Sequence, residues 1–290
     1  MSAPSAGRSP ADILRMSAGE ADDLIGHLEE RVPHRPPLAE ISAEVAEEAV
    51  VFGDSHGDWR ATAEVVRRFR EGRRSLIGLG DYIDRAPADC GAGSVANALF
   101  LLGVAAEAPD RVWLIQGNHE TTRRIPVRPH SLPSELANLW GPDPSRYDRI
   151  LELLARGPIA ARTPSGAYLA HAGFPRGPLP TPWSAAFDAA DDDRLAEVVW
   201  AECDVSAARR GAAPSWGNSD LDLFLRTTGL RIFLRGHDPD LTAQPLFEDR
   251  CMTLHTCRLY GQYGGVISAM LPLRSPVRSV RDLTIDRLKI

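Results

Sequence analysis

A chain of 290 residues with 43% hydrophobic and 25% charged residues has a globular composition, which excludes a disordered or fibrous protein. With 33 basic against 39 acidic residues the net charge is -6, and no basic block runs long enough to follow a nucleic-acid backbone, so nucleic acid is not an expected partner. The four cysteines form no C-x-x-C pair, the N-terminus lacks the apolar core of a secretion signal, and the most apolar stretch, Val95 to Ala106, is too short to span a bilayer; the expected location is the cytoplasm, with no membrane partner.

Residues 1–48 carry no cluster of metal-ligand residues and read as an N-terminal extension: an acidic helical stretch near Ala21 to Glu30, a breaker from Val32 to Pro37, and a second helical stretch from Leu38 to Glu48. Residues 49–290 read as one domain, because the pattern changes at Ala49 to short apolar runs followed by amphipathic stretches. Ala49 to Phe52 precedes a helix from Trp59 to Phe69, Ser75 to Leu79 precedes one from Ser94 to Glu107, and Val112 to Ile115 precedes one near Glu135. This βαβα alternation predicts an α/β fold with parallel strands buried between helices. Further along, Ala167 to Ala170 and Ile232 to Leu234 read as strands, while Met252 to His255 and Val266 to Leu271 look like a second sheet of antiparallel type. The segment from Thr121 to Tyr147, rich in Pro and Arg, reads as a surface elaboration near the site.

Five patches follow apolar runs: Gly53-Asp54-Ser55-His56-Gly57, Gly80-Asp81-Tyr82-Ile83-Asp84-Arg85, Gly117-Asn118-His119-Glu120, His171-Ala172-Gly173 and Arg235-Gly236-His237. In open α/β sheets ligands collect at the carboxyl ends of strands, so patches distant in sequence would converge on one crevice. Asp54 and His56 offer a carboxylate and an imidazole to one cation, a pair suited to Mn, Fe or Zn; Asp81 is the natural bridging carboxylate; Asn118, His171 and His237 complete a second position. A single strand-end Asp caps a helix more often than it binds metal, and it is the ordered combination that points to a two-metal phosphoester hydrolase.

The order of these motifs resembles that of bacterial-type PPP Ser/Thr protein phosphatases within the calcineurin-like metallophosphoesterase superfamily, over roughly Ala49 to Leu271. That resemblance implies two mixed β-sheets sandwiched between helices. It places one divalent metal ion on Asp54, His56 and Asp81, and the other on Asp81, Asn118, His171 and His237, with Mn the expected metal in vitro and Fe or Zn as alternatives. The segment Arg210 to Gly217 is similar to the family's arginine-bearing phosphate segment, and Thr253 to Tyr260 parallels the one ending in an active-site tyrosine, although the usual Ser-Ala-Pro-Asn-Tyr is here Thr256-Cys257-Arg258-Leu259-Tyr260.

The chemistry implied is hydrolysis of phosphoserine, phosphothreonine or phosphotyrosine in a protein. Arg85 and Arg210, with Asn118 and Tyr260, would bind the phosphate; His119 would protonate the leaving oxygen, oriented by Asp84. The partner is then a phosphorylated protein or peptide. Two other readings stand beside it: a dinucleoside-polyphosphate hydrolase with similar motifs, and a phosphoprotein-binding scaffold without turnover. Arg123, Arg124, Arg128 and His130 follow the third patch and would present positive charge at the cleft mouth. Cys251, His255 and Cys257 lack a zinc spacing and read as strand packing.

Overall fold

The computed structural model describes residues 7–187, 191–207, 213–263 and 266–290. In chain order the first half contains α1 (Pro10–Ile13), α2 (Ala18–Arg31), β1 (Leu38–Glu40), β2 (Glu48–Phe52), α3 (Trp59–Arg70), β3 (Arg74–Gly78), α4 (Gly93–Glu107), β4 (Val112–Leu114), α5 (Leu132–Trp140) and α6 (Pro144–Ala155). The second half contains β5 (Ala160–Arg162), β6 (Ala167–Ala170), α7 (Asp192–Val199), β7 (Glu202–Cys203), β8 (Ser215–Trp216), α8 (Asn218–Thr228), β9 (Ile232–Arg235), β10 (Cys251–Thr253), β11 (Ile267–Pro272) and β12 (Thr284–Arg287).

Two five-stranded sheets, ordered β12-β11-β2-β3-β4 and β1-β5-β6-β9-β10, lie face to face. Period-two alternation explains the layers. Ala49 and Val51 of β2 join Ile77, Leu169, Ile232 and Leu234 in an apolar layer between the sheets, while Val50 and Phe52 point the other way into a cluster with Leu24, Leu28, Leu99 and Leu151 from the helices. On the far side, Tyr168 and Phe233 pack beneath Val198, Leu221 and Phe224 of α7 and α8. The result is a helix–sheet–sheet–helix sandwich with mixed sheets. Helix α4 is buried along all but its last residue, as its all-round apolar sequence requires.

Two sequence-based expectations need correction. Leu38 to Glu48 is not helical: Leu38–Glu40 pairs in parallel with β5, and the Pro36-Pro37 pair before it holds Arg35 and Pro36 extended, so the chain runs straight on into the strand. The runs at Met252 and Val266 do not build an antiparallel sheet together. Strand β10 extends the second sheet in parallel with β9, whereas β11 crosses back to lie antiparallel to β2 in the first sheet. Alternation identified both as strands but carries no information about which edge each one joins. The stretch expected as an extension also contributes to the main core. Helix α2 begins at a Ser17–Glu20 capping box, buries Leu24, Ile25 and Leu28, and is tied to α6 by bidentate Arg146–Asp22 and Arg149–Glu29 pairs.

Candidate metal centre

Each site residue sits just past a strand: Asp54 and His56 after β2, Asp81 after β3, Asn118 and His119 after β4, His171 after β6, and His237 after β9. The sheet topology turns sequence separations of more than a hundred residues into one crevice. Close approach there depends on Gly53. A Cβ at this position would stand 1.7 Å from the Leu254 carbonyl oxygen, so the two segments touch only because glycine has no side chain. Gly53→Ala must therefore push them apart and should cost about 1–3 kcal/mol, seen as a lower urea midpoint together with lost activity. A variant with wild-type stability and activity would show that the approach is not needed.

Strain marks the same place. His56, Asp81, Asp84, Arg85 and His237 all have positive φ, between 41° and 74°. Non-glycine residues are held in this left-handed region only where the surroundings over-determine them, a condition typical of functional sites.

The donor atoms converge. His56 Nε2 lies 3.6 Å from Asp81 Oδ2 and 3.9 Å from Asp54 Oδ2; His171 Nε2 lies 3.5 Å from Asp81 Oδ1, and His237 Nδ1 lies 3.2 Å from His171 Nε2. Tautomers are set from behind: His56 Nδ1 is 3.1 Å from the Ile83 carbonyl and His171 Nδ1 is 2.9 Å from that of Leu79, so each ring donates there and turns an Nε2 lone pair inward. Burial pushes His56 down to about 3 and lowers His171 as well, which keeps both imidazoles neutral. Burial works to raise Asp81, but the net shift is downward: with His56 and His171 neutral, the His119 ring and the hydrogen bond from the His119 backbone N–H are what favour the carboxylate.

Asn118 is the most telling donor. Its Oδ1 lies 2.9 Å from His171 Nε2 and 3.2 Å from both Asp81 oxygens, all of them acceptors. With nothing between these lone pairs the amide would sit better turned round, whereas a cation among them favours the oxygen pointing inward. The buried carboxylate, imidazole and amide set, with Asp81 facing both His56 and His171, fits two divalent metal ions.

His119 is built differently. Its Nδ1 is 2.6 Å from Asp84 Oδ2, and its buried Nε2 has no hydrogen-bond partner among the described residues. Burial pulls the ring's pKa down, but the Asp81 charge and the Asp84 hydrogen bond outweigh it, and the net shift is upward. Asp84 is itself gripped by Ser131 N at 2.7 Å, Leu132 N at 3.1 Å and His130 Nδ1 at 2.8 Å. His130, expected at the cleft mouth as surface charge, thus braces the Asp84–His119 pair from behind. Glu120 had no structural assignment from sequence. Its carboxylate accepts hydrogen bonds from the backbone N–H groups of Asp81, Tyr82 and Gly117, each at 2.8 Å, and so clasps the second patch to the third.

Arg85 and Tyr260 also meet at the cleft: Arg85 Nη1 donates to the Tyr260 hydroxyl at 3.2 Å, and the Tyr260 ring lies 5.7 Å from that of His56. The altered segment before Tyr260 is anchored by Arg258, which pairs with Asp58 and with both oxygens of Asp89. Arg210 lies outside the described residues. Arg123 pairs with Asp148 and Arg124 with Asp192, so the charge expected from them at the cleft mouth is largely offset. Cys251 packs in the apolar cluster under α8, but His255 faces the cleft beside Asp54, contrary to the strand-packing expectation. A larger cavity of about 490 Å³, lined by Arg35, Gln116, Glu120 and Arg124 among others, lies beside the third patch and exposes none of the metal-donor set.

Comparison with known proteins agrees with this geometry. The sequence profile described as calcineurin-like phosphoesterase matches residues 49–241, and the chain belongs to that family. The chain is 26% identical over 243 residues to a probable serine/threonine-protein phosphatase of Encephalitozoon cuniculi, covering 80% of this chain and 50% of that protein. It is 28% identical over 200 residues to a PP2A-like serine/threonine-protein phosphatase of Candida albicans, covering 64% and 46%. It thus spans about half the length of these curated relatives. A protein serine/threonine phosphatase structure from Saccharomyces cerevisiae superposes with a TM-score of 0.72 at 18% identity, covering 95% of this chain and 91% of that one, and so shares the fold. No helix among the described residues is long and apolar enough to cross a membrane.

Proposed function

We propose that this chain is a PPP-type phosphoprotein phosphatase that hydrolyses phosphoserine and phosphothreonine esters, with phosphotyrosine a further substrate. The observation that carries the reading is a division of labour among histidines. His56 and His171 are backed by carbonyl oxygens and turn lone pairs inward, as ligands must; His119 is backed by the Asp84 carboxylate, which favours a protonated ring, as an acid must.

In this reading Asp54, His56 and Asp81 hold one divalent ion and Asp81, Asn118, His171 and His237 the other, with Mn the preferred metal and Fe or Zn the alternatives. When bound, such a pair supplies activated water and neutralises phosphate charge. Arg85, steadied by Tyr260, offers a planar guanidinium to the non-bridging phosphate oxygens, and Asn118 lies within the same cleft. His119 Nε2, facing the Asp81 side, delivers its proton to the leaving serine or threonine oxygen while Asp84 stabilises the charge on the ring. Arg210 remains a candidate second phosphate ligand. The four cysteines are free thiols, which suits the cytoplasm.

The protein loaded with manganese should hydrolyse phosphoserine and phosphothreonine peptides with a higher kcat/KM than diadenosine tetraphosphate. Preference for the nucleotide would move the assignment to a dinucleoside-polyphosphate hydrolase. No turnover of either by fully loaded protein would leave a phosphoprotein-binding scaffold.

A further inference from the structure

We propose that His255 is an additional protein ligand on the Asp54–His56 side of the metal centre, an inference that rests on the two-metal reading above. His255 is 1% exposed, and neither of its ring nitrogens has a hydrogen-bond partner among the described residues. A buried imidazole without a partner on either nitrogen is rare, because each polar atom gives up water for nothing. This ring does have a direction. Its Nε2 lies 3.5 Å from Asp54 Oδ2, the same oxygen that lies 3.9 Å from His56 Nε2, and it lines the cleft together with Asp54, His56 and Asp81.

The backbone leaves the ring little freedom to point elsewhere. Asp54 and His255 form an isolated parallel β-bridge, Thr256 N donates to the Asp54 carbonyl at 2.9 Å, and Gly53 N donates to Thr256 Oγ1 at 3.1 Å. The close approach at Gly53 is what draws this segment in. His255 is thus registered to Asp54 by the backbone, with an unspent imidazole lone pair beside a carboxylate. Ligation by His255 gives that side two carboxylates and two imidazoles, a set that favours zinc-, iron- or manganese-class ions over magnesium or calcium. It also leaves fewer coordination positions there for water or phosphate, so the other ion carries more of the open coordination.

Diffraction from crystals of the full chain loaded with zinc tests this directly. The expected result is two ions, with His255 Nε2 about 2.0–2.1 Å from the one that Asp54 and His56 hold. Two ions with His255 Nε2 beyond about 3 Å would overturn the proposal and leave the two-metal reading standing, whereas a chain that binds no ion at these residues would overturn both. In solution, chelator competition on wild type, His255→Phe and His255→Gln should show one zinc weakened by at least about 10–100-fold in both variants and the other unchanged. Unchanged affinity for both ions contradicts ligation. Should the phenylalanine variant fail to fold, the glutamine variant and the loaded wild-type crystal still decide.

Discussion

His119→Ala should retain its metals and lose turnover on phosphoserine peptides by about 10²–10⁴ fold, while losing far less on p-nitrophenyl phosphate. The contrast follows from the leaving group. A serine alkoxide is a poor leaving group without a proton, whereas p-nitrophenolate departs unaided, so only the first reaction needs an acid. The structure gives His119 the means: Nδ1 fixed on Asp84 at 2.6 Å, Nε2 turned to Asp81 at 3.8 Å, and a pKa held above the ordinary imidazole value. Because the acid form must be present, wild-type kcat on alkyl esters should fall on the alkaline side as His119 loses its proton, and that limb should vanish in the variant. Steady-state kinetics on both substrates across pH checks this. Equal losses on the two would make His119 a structural or metal-linked residue instead.

Asp81→Asn should be more damaging still, releasing at least one metal and lowering turnover on every substrate by 10²-fold or more. The two oxygens of Asp81 face imidazoles from different patches: Oδ2 lies 3.6 Å from His56 Nε2 and Oδ1 lies 3.5 Å from His171 Nε2. An amide of the same shape keeps one weak oxygen donor and replaces the other with an N–H group that repels a cation. Elemental analysis of the purified variant decides, and two metals per chain with wild-type turnover would remove Asp81 from the bridging position.

The part of the site visible in sequence was the part carried by short local patterns. Ala49 to Phe52 and Ser75 to Leu79 announce buried parallel strands, and the polar patches after them can be read without knowing where the strands go. What escaped depends on contacts between distant segments. His255 lies in a strand-like run whose alternation says nothing about Asp54, about two hundred residues earlier, yet the bridge between these two residues decides where the ring points. His130 reads as one more basic residue after Arg128, and only folding brings it onto Asp84. Arg258, replacing a residue type usual in the family, gives no sign in sequence that Asp58 and Asp89 will hold it. Glu120 had the clearest signal, its adjacency to Asn118 and His119, but its service as acceptor for three backbone N–H groups is a property of the loops it joins. The three residues of β1 are too short a strand to distinguish from a helical turn by periodicity.

On the proposed reading, hydrolysis depends on two metal ions in this crevice. Equilibrium dialysis of the stripped protein against increasing manganese, with p-nitrophenyl phosphate hydrolysis followed at each occupancy, tests it most directly. Saturation at two ions per chain is expected, with activity rising in step with occupancy of the second. Saturation at one ion, or full activity in stripped protein held in chelator, would contradict it.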